Sequence, residues 1–400
     1  MTDDRTPGTP ARPARPAPDD REVTAAQLSL MARLRQPRTI ASLVVPLVII
    51  VLVLLNLPGF QLDRIPGLVL SANPVLLLAA FVVFYLGFPL RGYRWALLIR
   101  GTGYHLRVKD ATEIIFLSWL VNCLVPAKLG DLYRAWLLKI NSDVSLSRTF
   151  GTVFIERILD LFAISILGLA AGYWSFRNGL PTQIQIVFGI GVAVVFVLAL
   201  GLLTMRNFGR RILVRLPVPH TFLEYYDRFE EGVFGAIGLQ GLPPLLIITG
   251  AIWATEATRL YLVVAALDLP GVSLGISGAF FVALIGSLLT AVPLSPAGLG
   301  IVEAGVVGVL TVAYGIPRTE AATIALVDRA ISVLSIIVLG AIAYALSGKR
   351  RGAGVEGTTS DGSGPDSGDS DRSHAEPGSR ADDAAPPQGH PSGSTGRTTG

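Results

Sequence analysis

Eight stretches of this 400-residue chain are apolar over close to the length of a membrane crossing: 40–58, 73–91, 111–126, 152–175, 184–204, 243–267, 274–292 and 320–346. A hydrocarbon core about 30 Å thick takes about 20 helical residues but only about ten in a strand. Within it no water satisfies backbone N–H and C=O groups, so runs this long must satisfy their own, as helices. The chain therefore predicts an all-α polytopic membrane helix bundle. Composition agrees, with mean hydropathy +0.56, 51% hydrophobic and only 16% charged residues.

The two ends are of another kind. Residues 1–38 are a Pro/Arg/Ala stretch, and 348–400 are Gly, Ser, Pro, Asp and Arg without apolar period. Neither buries enough surface to offset its ordering entropy, so both are expected to be disordered tails around one transmembrane domain, 39–347. The first apolar run begins near Ile40 and is too long for a signal-peptide core, so it is read as an uncleaved span. A net charge of +4 comes mostly from arginines near membrane edges, which orient spans and give a nucleic-acid role little support. Cys123 is the sole cysteine, and the four histidines fall in loops or tails without zinc-ligand spacing. No phosphate-binding loop or GxSxG sequence occurs. No metal, no cofactor and no enzymatic chemistry are expected.

One passage is written twice. Pro126-Ala127-Lys128-Leu129-Gly130 and Pro296-Ala297-Gly298-Leu299-Gly300 each interrupt an apolar run. Each is followed by an acid–Arg doublet, Glu156-Arg157 and then Asp328-Arg329, and preceded by an arginine, Arg94 and then Arg259. The repeat halves span about 75–175 and 243–346. Breaking membrane segments at matching places in two halves points to a site at their junction, as in transporter folds. The segments after the breaks, 128–141 and 299–315, suit two re-entrant helices lining a cavity. If both re-enter there are about eight transmembrane helices; if both cross there are ten and the halves become inverted repeats. Lys128, Asp131, Arg134 and Lys139 make the first an expensive span and favour eight. Between the halves, 206–242 is basic and aromatic, with Arg210, Arg211 and Arg215, as in a helix lying on anionic headgroups.

The candidate site collects around these breaks. At the first, Asn122, Pro126, Gly130, Asp131 and Arg134 combine a helix end, a tight reversal and a cation for a lipid phosphate. A capped interfacial loop with Arg134 reaching headgroups explains them equally well. At the second, Pro296, Gly298 and Gly300 precede Glu303 in an uncharged run. A carboxylate centrally placed there costs about 2.5–3.5 kcal/mol, so Glu303 needs a partner, with Arg157, Arg259 and Arg329 as the candidates. Arg157 and Asp160 share one helical face and leave Glu156 to pair between helices, while Glu256 and Arg259 repeat that spacing. Buried pairs are weak support for stability, since desolvation cancels much of the attraction. Their clustering inside the membrane points to a polar cavity.

At these residues the chain resembles the membrane region of the lysylphosphatidylglycerol synthases, found also as stand-alone flippase-like proteins and joined to archaeal glycosyltransferases. R-G-Y-R-W (91–95), N-C-L-V-P-A-K-L-G-D-L-Y-R-A (122–135), E-R-I-L-D (156–160) and S-P-A-G-L-G-I-V-E (295–303) carry the resemblance, over about 75–346. In bifunctional relatives a cytosolic domain aminoacylates phosphatidylglycerol and the membrane region is implicated in moving the product between leaflets. The resemblance implies a lipid-handling plasma-membrane protein and does not imply lysyl transfer. The expected function is translocation of an anionic or aminoacylated phospholipid, with Arg134, Arg157 and Arg329 on its phosphate. Glu303, Glu156 and Asp328 would meet a cationic headgroup or the arginines. Membrane lipids are the expected partners. A lipid-modifying synthase or glycosyltransferase served by a non-catalytic membrane subunit is the alternative, and self-association stays open.

Overall fold

The computed structural model describes residues 60–125, 128–142, 144–176, 182–204, 220–235, 241–290 and 295–349. The first apolar run, the N-terminal tail, the C-terminal tail from residue 350 onward, Pro126 and the arginines at 210–215 lie outside the described residues. Every long element described is helical: α1 (Ile65–Leu70), α2 (Pro74–Gly101), α3 (Val108–Leu124), α4 (Leu129–Asn141), α5 (Leu146–Ser175), α6 (Thr182–Thr204), α7 (His220–Gly235), α8 (Leu242–Leu267), α9 (Ile276–Leu289), α10 (Ile301–Tyr314) and α11 (Arg318–Leu346). Local chemistry sets the ends. Asn73 accepts from the N–H groups of Val75 and Leu76 ahead of Pro74, and Ser145 accepts from Arg148 N–H. A π-helical turn at Ala330–Leu334 widens α11 just past the second doublet.

Helix directions follow from the contacts. The backbone N–H of Asn73 donates to Ala266, Arg91 pairs with Glu256, and Arg94 meets Thr249, so α2 and α8 run antiparallel along their whole length. Between α2 and α3, Phe84 meets Trp119, Phe88 meets Phe116, and Gly92 lies against Thr112, so α3 runs back from the end where α2 finishes. α4 then reverses again. Gly130 lies on Ser118 and Asn122 near the far end of α3, while Asn141 donates to the Lys349 carbonyl and Lys349 pairs with Asp110 where α3 began. α3 and α4 are therefore the two arms of one hairpin that leaves by the end it entered.

The second half repeats this upside down. Gly305 of α10 lies against Leu289 of α9, and Tyr314 against Gly278, making a second hairpin. Its open end lies at the opposite end of the molecule, where Phe176 meets Phe281 and Tyr314. α11 runs back from there, since Thr319 accepts from Gln61 N–H at one end of it while Ser347, just past its other end, donates to Glu113. Each unit is thus span, hairpin, span: α2, α3–α4, α5, then α8, α9–α10, α11. The antiparallel α2 and α8 make them inverted repeats, and they interlock, with α5 packed along α9 and α11 along α3.

The sequence treats 111–126 and 274–292 as spans beside separate re-entrant segments; the structure joins each to the short helix after it. Among the described residues four helices meet the length and apolarity of a crossing: Pro74–Gly101, Leu242–Leu267, Pro296–Tyr314 and Arg318–Leu346. The third does so only by including the break. Its helix α10 has 14 residues, about 21 Å at 1.5 Å each, short of a ~30 Å core. The interhalf segment supplies α7, whose Phe229 and Gly232 lie against α5 and whose Glu231 pairs with Arg148 at 2.6 Å. Arg100, Arg107, Lys109, Arg148 and Lys349 gather at this one end of the bundle.

Candidate functional site

Both hairpins turn near the centre of the molecule, and their tips close on one cavity. Its volume is about 190 Å3, enough to hold several waters. Val125 and Lys128 of the first tip and Ser295, Ala297 and Gly298 of the second form part of its wall. Tight reversal explains the residues at the tips. Lys128, Ala297, Gly298 and Gly300 all have φ between 51° and 97°, the left-handed side that favours glycine. A Cβ at Gly130 would lie 2.1 Å from the Ser118 carbonyl oxygen, so only glycine lets the two arms approach this closely. Asn122 seals the first tip, its Oδ1 accepting from Gly130 N–H at 2.8 Å. Glu303 does the same at the second, accepting from Gly300 N–H at 2.6 Å.

Around the cavity runs an ion-pair network wired the same way in both units. In the first, Arg94 of α2 donates to Glu156 at 2.9 Å and Asp160 at 2.6 Å, both on α5. Arg157 of α5 grips Asp131 of α4 with two donors, at 2.6 and 3.0 Å. In the second, Arg259 of α8 grips Asp328 of α11 at 2.7 and 3.0 Å, and Arg329 of α11 holds Glu303 of α10 at 2.7 Å and the Ala297 carbonyl at 2.5 Å. The rule is shared: the first-helix arginine takes the acid of the doublet, and the doublet's arginine takes the acid of the helix beyond the break.

Several contacts tie the units together near the axis relating them, the Arg94–Thr249 bond among them. Arg91 and Glu256 occupy the same repeat position, three residues before Arg94 and Arg259, and they pair with each other at 2.6 Å. Glu256 also binds Arg259. Trp253 of α8 donates to Asp160 of α5 at 3.3 Å. Aromatic faces cover several guanidinium groups, Arg91 over Trp119 at 4.7 Å, Arg134 over Trp95 at 4.9 Å and Arg259 over Phe84 at 5.1 Å. Such stacking offsets part of the desolvation that buried charges suffer.

Of the residues singled out in the sequence, Asn122, Glu156, Arg157, Asp160, Glu256, Arg259, Gly298, Asp328 and Arg329 line the cavity. Gly130, Asp131, Arg134, Pro296, Gly300 and Glu303 stand behind that lining. Arg134 is only 2% exposed and reaches Glu156 at 3.1 Å, so it braces the network from behind. Arg91, Arg94, Lys128 and Trp253 were not among the sequence candidates, yet all four line it. Arg94 had a signal, its match to Arg259 in the repeat. Among the described residues no group of three His, Cys, Asp or Glu side chains is placed to hold a metal ion.

This architecture defines a membrane-embedded helical protein with a charged site between inverted halves. Residues 39–340 match the family described as the lysylphosphatidylglycerol synthase TM region, and the chain belongs to that family. It is 35% identical over 224 residues to a UPF0104 membrane protein of Methanocaldococcus jannaschii, covering 56% of this chain and 92% of that one. A UPF0104 membrane protein of Methanothermobacter thermautotrophicus is 28% identical over 298 residues, covering 70% and 86%. Glycosyltransferase AglD of Haloferax volcanii is 26% identical over 367 residues; the match covers 80% of this chain and 56% of AglD.

Proposed function

We propose that this protein moves a phospholipid between membrane leaflets, binding its headgroup in the central cavity, and performs no chemistry on it. The observation that carries this reading is the placement of a charged cavity where two inverted units meet, at the tips of hairpins that reach it from opposite ends. A site so placed is reached from either face by rocking one unit against the other, with the paired carboxylates and arginines exchanging partners as it opens. The gathering of basic residues at the end carrying Arg100, Arg107 and Lys349 supports placing that end in the cytoplasm of a plasma-membrane protein. The drive is a lipid gradient or the protonation of a buried acid.

The test is leaflet accessibility of labelled phosphatidylglycerol and lysylphosphatidylglycerol in liposomes carrying the purified chain. Wild type should move lipid, while folded Arg157→Ala, Arg329→Ala and Glu303→Gln variants should not. A folded protein that moves neither lipid would sink the transport reading. A second reading, a non-catalytic membrane partner for a separate lipid-modifying synthase or glycosyltransferase, draws on the match to just over half of a glycosyltransferase. Co-purification of such an enzyme activity with a transport-silent chain would favour it.

A further inference from the structure

The charges around the cavity do not cancel. Each carboxylate of the network lies within ion-pair distance of at least one guanidinium: Asp131 with Arg157, Glu156 and Asp160 with Arg94, Glu256 with Arg91, Glu303 with Arg329, and Asp328 with Arg259. Lys128, on the cavity wall, has no carboxylate within 4 Å among the described residues. It lies within electrostatic reach of Arg157 and of Asp131 and Asp160, both of which are already paired with guanidinium groups; the Arg157 side chain is the most exposed guanidinium of the network at 35%. Arg91, also on the wall and itself 5% exposed, has a buried Nη1 with no hydrogen-bond partner.

The repeat supplies an independent observation. Lys128 corresponds to Gly298, and both have left-handed backbone, at φ 51° and 70°. The position asks for glycine, and the second tip provides it. The first tip instead carries a lysine in a conformation that opposes a side chain. Ala297 beside Gly298 is left-handed too, at φ 51°, so the turn sets this backbone, and what sets the first tip apart is the cation that Lys128 places on the cavity wall.

We propose that the cavity selects a lipid headgroup with one uncompensated negative charge, a phosphodiester held by Lys128 with Arg157 and Arg91, and disfavours a lysylated headgroup. An aminoacylated headgroup would bring ammonium groups to a wall whose carboxylates are already engaged and whose spare charge is positive. The inference rests on a lipid being the cargo of this cavity, and it names the class.

Equilibrium binding tests it apart from movement. The purified full chain in neutral detergent is titrated with dioctanoyl phosphatidylglycerol, dioctanoyl lysylphosphatidylglycerol and inorganic phosphate. Phosphatidylglycerol should bind at least about tenfold more tightly than the lysylated lipid, the size of one charge-assisted hydrogen bond. Lys128→Gln should lose that preference, and Lys128→Arg should keep it. Equal or tighter binding of the lysylated lipid, or a preference unchanged in Lys128→Gln, overturns the proposal. Inorganic phosphate matching phosphatidylglycerol in affinity also overturns it, by making the site one for free phosphate. Binding as expected without movement in liposomes would leave the anion site standing and remove only the transport reading.

Discussion

The two hairpin tips have nearly the same sequence and solve the same reversal, yet they differ in where their charge goes. At the second tip the carboxylate of Glu303 is turned inward, held by Gly300 N–H and Arg329, and uncharged Ala297, Gly298 and Gly300 take the left-handed turns. At the first, Asn122 makes the equivalent seal without charge, Asp131 is taken by Arg157, and Lys128 occupies a glycine-like position on the cavity wall. One tip is closed on itself and the other keeps a cation to spare. The two copies therefore share a scaffold and differ in charge, one tip closed by its own carboxylate and the other placing a cation on the cavity wall.

The strongest way to break the comparison is to remove the first-helix arginine from one unit and then the other. Arg94→Met takes the closest guanidinium from Glu156 and Asp160, leaving Glu156 with Arg134 and Asp160 with Arg157 and Trp253, whereas Arg259→Met strands Asp328 and weakens Glu256. Losing one partner of a buried pair costs about 3–5 kcal/mol. Both variants should lose much of their resistance to thermal unfolding in detergent, Arg259→Met the more, because Asp328 then has no cation paired with it among the described residues. Equal losses would mean that Arg134, Arg157 and Trp253 do not make up for the missing Arg94.

Charge reversal at the axis is next. Arg91→Glu and Glu256→Arg should each destabilise by about 3 kcal/mol or more, by placing like charges together where nothing solvates them. The double exchange restores opposite charges across the axis but leaves Arg259 beside an arginine, so it should recover part of that loss. No recovery in the same unfolding assay would show that each side chain is fixed by its own neighbours rather than by its counterpart.

A smaller effect separates the hairpin arms. Gly130→Ala drives a Cβ into the Ser118 carbonyl oxygen and should cost about 1–3 kcal/mol, the usual range for overpacking. A Cβ at Gly305 meets only the Leu289 methyl tip, which can turn aside, so Gly305→Ala should stay within about 1 kcal/mol of wild type, the scale of alanine's helix preference over glycine. The smallest shift is the most telling. Lys128→Gly relieves left-handed strain and should stabilise by about 0.5–1 kcal/mol while weakening phosphatidylglycerol binding. A variant at this position that gained stability and kept its binding would leave the lysine without a ligand to explain it.

Much of this fold was legible in the residues. Apolar length gave helices because hydrocarbon leaves the backbone no other partner, and the doubled Pro/Gly break gave two halves meeting at a polar centre. Glu303 required a cation, and Arg329 was one of three named. Directions were harder to read. Neither 111–126 nor 274–292 shows by composition that it turns back, because a hairpin arm in hydrocarbon is as apolar as a span; Gly130 against Ser118 is what reveals it. The sequence tied inverted halves to full crossings, whereas paired arms allow re-entry and inversion together. Arg91 and Arg94 escaped notice as site residues because arginines near a helix end read as headgroup anchors. Only the partner helix α8, distant in sequence, shows that they point into the bundle.

The contact between Arg91 and Glu256 has a consequence for how the two units know each other. They meet at the place where a duplicated element touches its own counterpart, and an unaltered duplicate would set identical residues face to face. Here one copy carries the arginine and the other the glutamate. A first unit facing another first unit would bury arginine on arginine, and two second units would bury glutamate on glutamate. Only the unlike pairing is neutral, so the chain has given up kinship with copies of its own halves in favour of a single permitted marriage within itself.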